Sequence, residues 1–241
     1  MLSTMLKHEL KNILREKMTV LMLLYPLILG IIGRILIHRE IVKGQGIGLT
    51  AMLVTLFCGF AYGAMSGFSL LDDRDDQVLE SIQISPVSVH WYIWFKVGFA
   101  YVLAVFAGVF VIWYTGALEL GFGDILLLAA LSALQTPIAA FFINAFAKNK
   151  VEGFVTMKGL GFTLVFPIAG FFFLDWVEWC FAIAPAHWVA KAVQYSLLQP
   201  AIEAGLTAMN LSFYQYVGLG YVYNLLLVAA AYSLFKKNNQ L

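Results

Sequence analysis

The chain has 241 residues, 61% apolar and 12% charged, with 15 Lys+Arg against 14 Asp+Glu. Soluble domains carry about 25% charged residues, so this composition excludes an ordinary water-soluble globule, a disordered chain and a basic nucleic-acid-binding domain. It fits a polytopic membrane protein, in which 20 Phe, 11 Tyr and 6 Trp supply lipid-facing and interfacial surface.

Residues 1–17 place Leu2, Leu6, Leu10, Ile13 and Leu14 at helical spacing on one side, with Lys7, Lys11, Arg15 and Lys17 mostly on the other. That pattern predicts a helix lying in the membrane interface with its cations at anionic headgroups. Glu9, Glu16 and the lack of a small-residue cleavage site argue against a removed signal peptide.

Six stretches are then apolar and long enough to cross the bilayer as helices: Met18–Ile37, Ile47–Leu71, Trp94–Leu118, Ile125–Ala147, Phe154–Leu174 and Tyr214–Phe235. Runs such as residues 125–130 do not alternate apolar with polar, which excludes a membrane β-barrel. The second stretch carries Gly59, Gly63 and Gly67 four residues apart. Such a run strips one helix face and admits a close neighbour, within the subunit or from a second copy. Pro26, Pro137 and Pro167 mark kinks. Ionisable residues are nearly absent within the spans; Arg34 and Lys158 lie near span ends, where they can snorkel, and the deepest polar groups are Gln135, Thr136 and Asn144. A proton- or sodium-coupled carrier needs a carboxylate near the midplane, and none is expected here.

Lys and Arg set the orientation. Lys7, Lys11, Arg15, Lys17, Arg74, Lys96, Lys148, Lys150, Lys158, Lys236 and Lys237 fall on one side; Arg34, Arg39, Lys43 and Lys191 fall on the other. The richer side is expected to be cytoplasmic and to hold both termini, in the plasma membrane.

The loop of residues 72–90 concentrates charge. Asp72, Asp73, Asp75, Asp76 and Glu80 are five of the fourteen acidic residues. Val78, Leu79, Ile82 and Ile84 make an apolar side, and Ser85-Pro86 stops a helix because the residue before proline avoids helical angles. The expectation is a short helix, one face acidic and one apolar, held between two spans as a docking element, with its early acids favouring the positive end of its dipole. An EF-hand needs Gly at position six and Glu at position twelve; counted from Asp72 those are Gln77 and Gln83, so no calcium is expected.

Residues 175–212 are too apolar for a solvated loop and too broken by Pro185 and Pro200 to span. They predict short helices dipping into the outer leaflet, one of them over Val189–Leu198, with Trp176, Trp179 and Trp188 at headgroup level.

No chemistry-bearing motif appears. There is no phosphate-binding loop and no serine elbow. His8, His38, His90 and His187 are scattered, and Cys58 and Cys180 read as small buried hydrophobes, so no metal, cofactor or catalytic residue is assigned. No segment between spans is long enough for a core of its own. The reading is one all-α transmembrane domain over residues 1–241, and any uphill transport must draw its energy from another chain.

These features together resemble the permease subunits of type-two ABC exporters. The match rests on the amphipathic N-terminal segment and six spans with both ends on one side. It rests also on an acidic loop closing with Ile82-Gln83-Ile84-Ser85-Pro86-Val87-Ser88 before Lys96, and on the proline-broken stretch around Pro185 and Trp188. Where many members carry Gly-Thr after the loop glutamate, this chain has Ser81-Ile82. The resemblance implies an elbow helix over residues 1–17 and a coupling helix around Asp75, Asp76, Val78, Leu79, Glu80, Ile82, Ser85 and Pro86 that seats in an ATP-binding subunit. It implies a second permease, identical or not, with ATP and Mg on the ATPase rather than on this chain. It also implies a path between the permeases bordered by the second and fifth spans. Apolar Phe- and Met-rich borders favour an apolar or amphipathic substrate, such as a drug, lipid or peptide. The rival readings are an ion-coupled carrier or channel and a non-transporting assembly subunit.

Overall fold

A computed structural model describes residues 2–15, 17–84, 86–162 and 164–239. Leu2–Arg15 forms α1, Lys17–His38 α2, Gln45–Asp75 α3, Val78–Gln83 α4 and Val89–Thr115 α5. Phe122–Ala133 forms α6, Gln135–Phe146 α7, Lys150–Phe162 α8 and Val165–Gly170 α9. A short 3₁₀ helix covers Trp176–Phe181, followed by α10 (His187–Glu203) and α11 (Phe213–Asn239). Among the described residues, six helical runs are long and apolar enough to span: Thr19–His38, Gln45–Asp75, Val89–Thr115, Phe122–Phe146, Lys150–Gly170 and Phe213–Asn239. The chain is an all-helical multi-pass membrane protein. An even number of crossings puts α1 and the end of α11 at the same end of the bundle, here the terminal end.

Helix α3 runs through the middle because its residues are small where neighbours cross it. Ala51, Ala61, Ala64, Ser66 and the three spaced glycines are buried along it. A Cβ on Gly59 would lie 2.2 Å from the Ser132 carbonyl oxygen; one on Gly63 would lie 2.8 Å from Ala139 Cβ; one on Gly67 would lie 3.0 Å from Ile143 Cδ1. The glycine face is therefore filled from within the chain, by α6 and α7. Polar groups stitch the same seam. Ser132 Oγ donates to the Thr55 carbonyl at 2.8 Å, Thr136 Oγ1 to that of Gly59 at 3.0 Å and Asn144 Nδ2 to that of Gly67 at 2.8 Å. In lipid, close backbone approach and interhelical hydrogen bonds replace the hydrophobic effect as the force between helices, which accounts for the deep Thr136 and Asn144.

The fourth span is two helices. Leu134 breaks it with a tighter turn, its N–H bonding Leu131 O, just before Pro137, which has no N–H to continue the ladder. The fifth is likewise divided, between α8 and α9 near Pro167. Pro26 is carried inside α2 without ending it.

The outer helices face outward with apolar residues. Leu21, Ile28, Ile32 and Ile35 of α2, Val102, Phe106 and Trp113 of α5 and Val222, Leu225 and Leu226 of α11 are exposed. Only a lipid surround makes such a coat favourable.

Helix α1 differs from its sequence pattern. Its buried residues among those described are Glu9 and Ile13, while Leu10 and Leu14 are exposed; the side chains of Leu2 and Leu6 lie outside the described residues. One face thus packs on the bundle and the other is left bare.

Residues 175–212 depart further. Helix α10 does not stop before Pro200 but runs through it to Glu203, and His187–Gln194 are all buried. Trp188 is buried, while Trp176 and Trp179 are exposed. The first two turns of α10 are thus embedded in the bundle against α3 and α11, and only two of the three tryptophans have a headgroup-like exposure.

Candidate functional site

The loop between the second and third spans is built as an extension of α3. That helix continues past Leu71 through Asp75, so Asp72 and Asp73 belong to its last turns. Asp72 pairs with Lys150 at 2.8 Å, and Asp73 is buried against Lys96. Arg74 turns the other way and donates to the carbonyls of Ala147 (3.1 Å) and Asn144 (3.2 Å), satisfying the open end of α7. Asp76 N–H closes on Asp72 O at 2.8 Å, and Gln77 reverses the chain at φ +56°, in the left-handed region.

Helix α4 then covers only Val78–Gln83. It is shorter than expected because α3 claims the start of the acidic run. Only Glu80 stands in the first turn of α4, so the dipole argument does not apply to Asp75 and Asp76, which lie at the carboxyl end of α3. The surface outcome is nonetheless concentrated. Asp75, Asp76, Glu80 and Pro86 are exposed, as is Ile84 at 91%, while Val78, Leu79 and Ile82 are half-buried. Leu79 packs against the buried cluster that includes Leu70, Ile93 and Phe141, as do Val89 and Tyr92 of α5. Ser85 lies outside the described residues. Ser88 Oγ accepts from Trp91 N–H at 3.2 Å and caps α5.

Because α5 starts at Val89, Lys96 sits two turns inside it rather than at its start. Lys96 is 2% exposed; its Nζ contacts Asp73 Oδ2, donates to Ser69 O at 3.1 Å and lies 3.9 Å from Glu9 Oε1. Tyr92 donates to the same Asp73 oxygen at 2.9 Å. One cation thus serves two carboxylates from α1 and α3. Burial pushes the Glu9 carboxyl above its ordinary value, Lys96 opposes that and Asp73 reinforces it. The sequence signal for the inward position of Lys96 is the capping serine at Ser88, which starts α5 a full turn and more before Trp94.

A second buried network lies at the other end of the bundle. Lys191 Nζ meets Glu178 Oε2 at 2.8 Å and donates to Gln194 Oε1 at 2.8 Å and to Phe173 O; Tyr216 donates to Glu178 Oε1 at 2.7 Å. Burial lowers the Lys191 pKa and lowers that of His187 to about 4, with Lys191 adding to the latter. By sequence Lys191 counts only as one of the four cations on the side opposite the termini. It is buried because its partner, Glu178, comes from the preceding 3₁₀ turn.

Two cavities border the spans. One, about 300 Å³, is walled by Leu21, Met22 and Tyr25 of α2, Phe57, Phe60, Ala61 and Ala64 of α3 and Met157 of α8. The other, about 480 Å³, lies at the far end between Ile47 and Gly48 of α3, Phe171, Phe172 and Leu174, and Gln194, Leu197 and Leu198 of α10. Both have volumes suited to drug-sized ligands. Among the described residues no group of His, Cys, Asp and Glu is arranged to hold a metal.

A model built for permeases described as fluoroquinolones export permease protein Rv2686c-like matches residues 9–232. The chain belongs to that family. Two curated relatives are the fluoroquinolones export permease proteins MT2760 and Rv2686c, from the CDC 1551 / Oshkosh and H37Rv strains of Mycobacterium tuberculosis. Each is 27% identical over 194 residues, covering 78% of this chain and 71% of its own. No solved structure matches. Membership in the Rv2686c-like export permeases agrees with the resemblance to ABC exporter permease subunits and with six membrane helices. The matched region takes in both buried ion networks, the acidic turn and both cavities.

Proposed function

We propose that this permease is the membrane half of an ATP-driven exporter, with a separate ATP-binding subunit docked on residues 75–86. The observation that supports the reading best is the surface of that segment. Asp75 and Asp76 at the end of α3, Glu80 on the short helix that follows and Ile84 just after it are all exposed within one ten-residue segment. A charged rim around an apolar anchor is the pattern of a partner site, and α3 is the element that also walls both cavities. Movement imposed at α4 would reach them directly. ATP and Mg are bound by the partner, a second permease completes the path, and the terminal end faces the cytoplasm.

The substrate we favour is an amphipathic aromatic compound. The relatives carry fluoroquinolone export in their names, and the cavity between α2, α3 and α8 offers Tyr25, Phe57, Phe60, Met22 and Met157 with no charged wall. The structure adds buried carboxylates that the sequence does not predict; Asp73 and Glu178 are each matched by a lysine, and Glu9 shares Lys96 at 3.9 Å. That pairing suits structural ties better than an ion-coupled carrier.

The test is charge reversal. Asp75→Lys, Asp76→Lys and Glu80→Lys together are expected to cut co-purification of the ATP-binding subunit by about tenfold or more, with membrane insertion unchanged. ATP-dependent efflux of a fluoroquinolone from vesicles should fall in parallel. Undiminished co-purification overturns the docking assignment, and transport by this chain in liposomes on an ion gradient alone overturns the ATP-driven reading.

A further inference from the structure

The cluster of Glu9, Asp73 and Lys96 has an unbalanced charge. Two carboxylates and one ammonium, each less than a tenth exposed, leave a net charge of −1 if all three are ionised. A buried net charge is expensive. Around it lies a void of about 10 Å³, lined by Glu9, Ser66, Ser69, Lys96 and Thr19 among others, about the room for one water. Ser66 Oγ lines that void, is buried and has no hydrogen-bond partner. The two acids are not equivalent. Asp73 holds Lys96 directly and accepts from Tyr92, whereas Glu9 stands 3.9 Å from the ammonium.

We infer that this cluster is a proton-binding site, with the proton carried by Glu9 when α1 is seated on the bundle. A proton makes the cluster neutral and gives Glu9 an O–H to donate into the void. Its loss leaves α1 carrying a buried carboxylate beside Asp73, which favours withdrawal of α1 toward the interface. Among the described residues, the groups of charge or titratable character facing Glu9 are Lys96 and Tyr92 from α5 and Asp73 from α3; α2 contributes the uncharged Thr19. The raised Glu9 carboxyl agrees in direction. The sign follows: a carboxyl whose seated pKa exceeds its free value favours the seated state at low pH. That preference fades as pH rises from the ordinary glutamate range through the raised value. Asp73 belongs to the last turns of α3, just before α4, so the site ties the acidity of the terminal-end compartment to the mounting of the docking segment. This inference stands whether or not the export reading holds.

The experiment uses the full chain in lipid nanodiscs, in a Cys180→Ser background, with spin labels at Lys11→Cys and Gln83→Cys. Pulsed distance measurements across pH are expected to show one seated population at acid pH and a second, longer distance growing as pH rises. Glu9→Gln, an isostere of the protonated acid, should stay seated at every pH. Asp73→Asn should move the midpoint of the transition down by about one pH unit, since it removes the neighbouring like charge. A wild-type distance that does not change with pH overturns the proposal. So does a transition that survives intact in Glu9→Gln, because another group would then be titrating.

Discussion

At the scale of single residues, the bundle is limited by how closely helices approach. The space beside Gly59 is closed by main chain, not by a side chain that can rotate away, since an alanine Cβ there would meet the Ser132 carbonyl oxygen at 2.2 Å. Gly98 offers the contrast, with nothing within 4 Å of its Cβ position. Both glycines are helical, so both gain the same propensity on substitution by alanine, about 1 kcal/mol. Gly59→Ala should therefore lose about 1–3 kcal/mol or more from overpacking, while Gly98→Ala should be neutral or slightly stabilising. Thermal unfolding of the two variants in the same detergent checks this, and equal midpoints would show that the α3–α6 seam is looser than its geometry.

At the scale of elements, the ends of helices carry the connections. Arg74 closes the carboxyl end of α7 through Asn144 and Ala147, and Asn238 and Asn239 of α11 donate to Ala145 and Asn144 at the same place. Arg74→Met removes the donors from α3 and should cost about 1–3 kcal/mol. The exposed Asp75, Asp76 and Glu80 are untouched, so binding of the ATP-binding subunit should persist; a loss of binding with no loss of stability would assign Arg74 to the docking surface instead. The spans were legible in the sequence because lipid demands long apolar runs, and the acidic turn because Asp75, Asp76 and Glu80 interrupt them. The burial of Lys96 and of Lys191 is not legible in the sequence, for a common reason. Cation counting treats each lysine alone, whereas burial depends on a carboxylate brought from elsewhere in the chain, Asp73 for one and Glu178 for the other. The length of α4 was misjudged because the acidic residues are as compatible with the end of α3 as with the start of a new helix. The continuity of α10 through Pro200 was missed because its first turns are held by burial rather than by local pattern.

At the scale of the whole molecule, the remaining question is which way the bundle faces. The two ends differ in charge. Lys7, Lys11, Lys17 and Lys148 are exposed at the terminal end, whereas at the far end the exposed cations are Arg39, Lys43 and the lipid-edge Arg34, with Lys191 withdrawn into its ion pair. Lys96 and Lys191 are each withdrawn into an ion pair, one at either end, so the excess of cations at the terminal end persists, as the proposed cytoplasmic orientation of that end requires. The chain carries its own reporter of this. Cys180 is exposed, at the far end in the 3₁₀ turn, and Cys58 is buried in α3. A membrane-impermeant maleimide added to intact cells should label the wild-type protein, and Cys180→Ser should abolish the label. In that background Lys148→Cys should label only after the membrane is opened, and Glu119→Cys should label without it. The reverse pattern would invert the bundle and put the acidic turn outside, beyond reach of any ATP-binding subunit, so the same labels decide both the orientation and whether the docking segment can work.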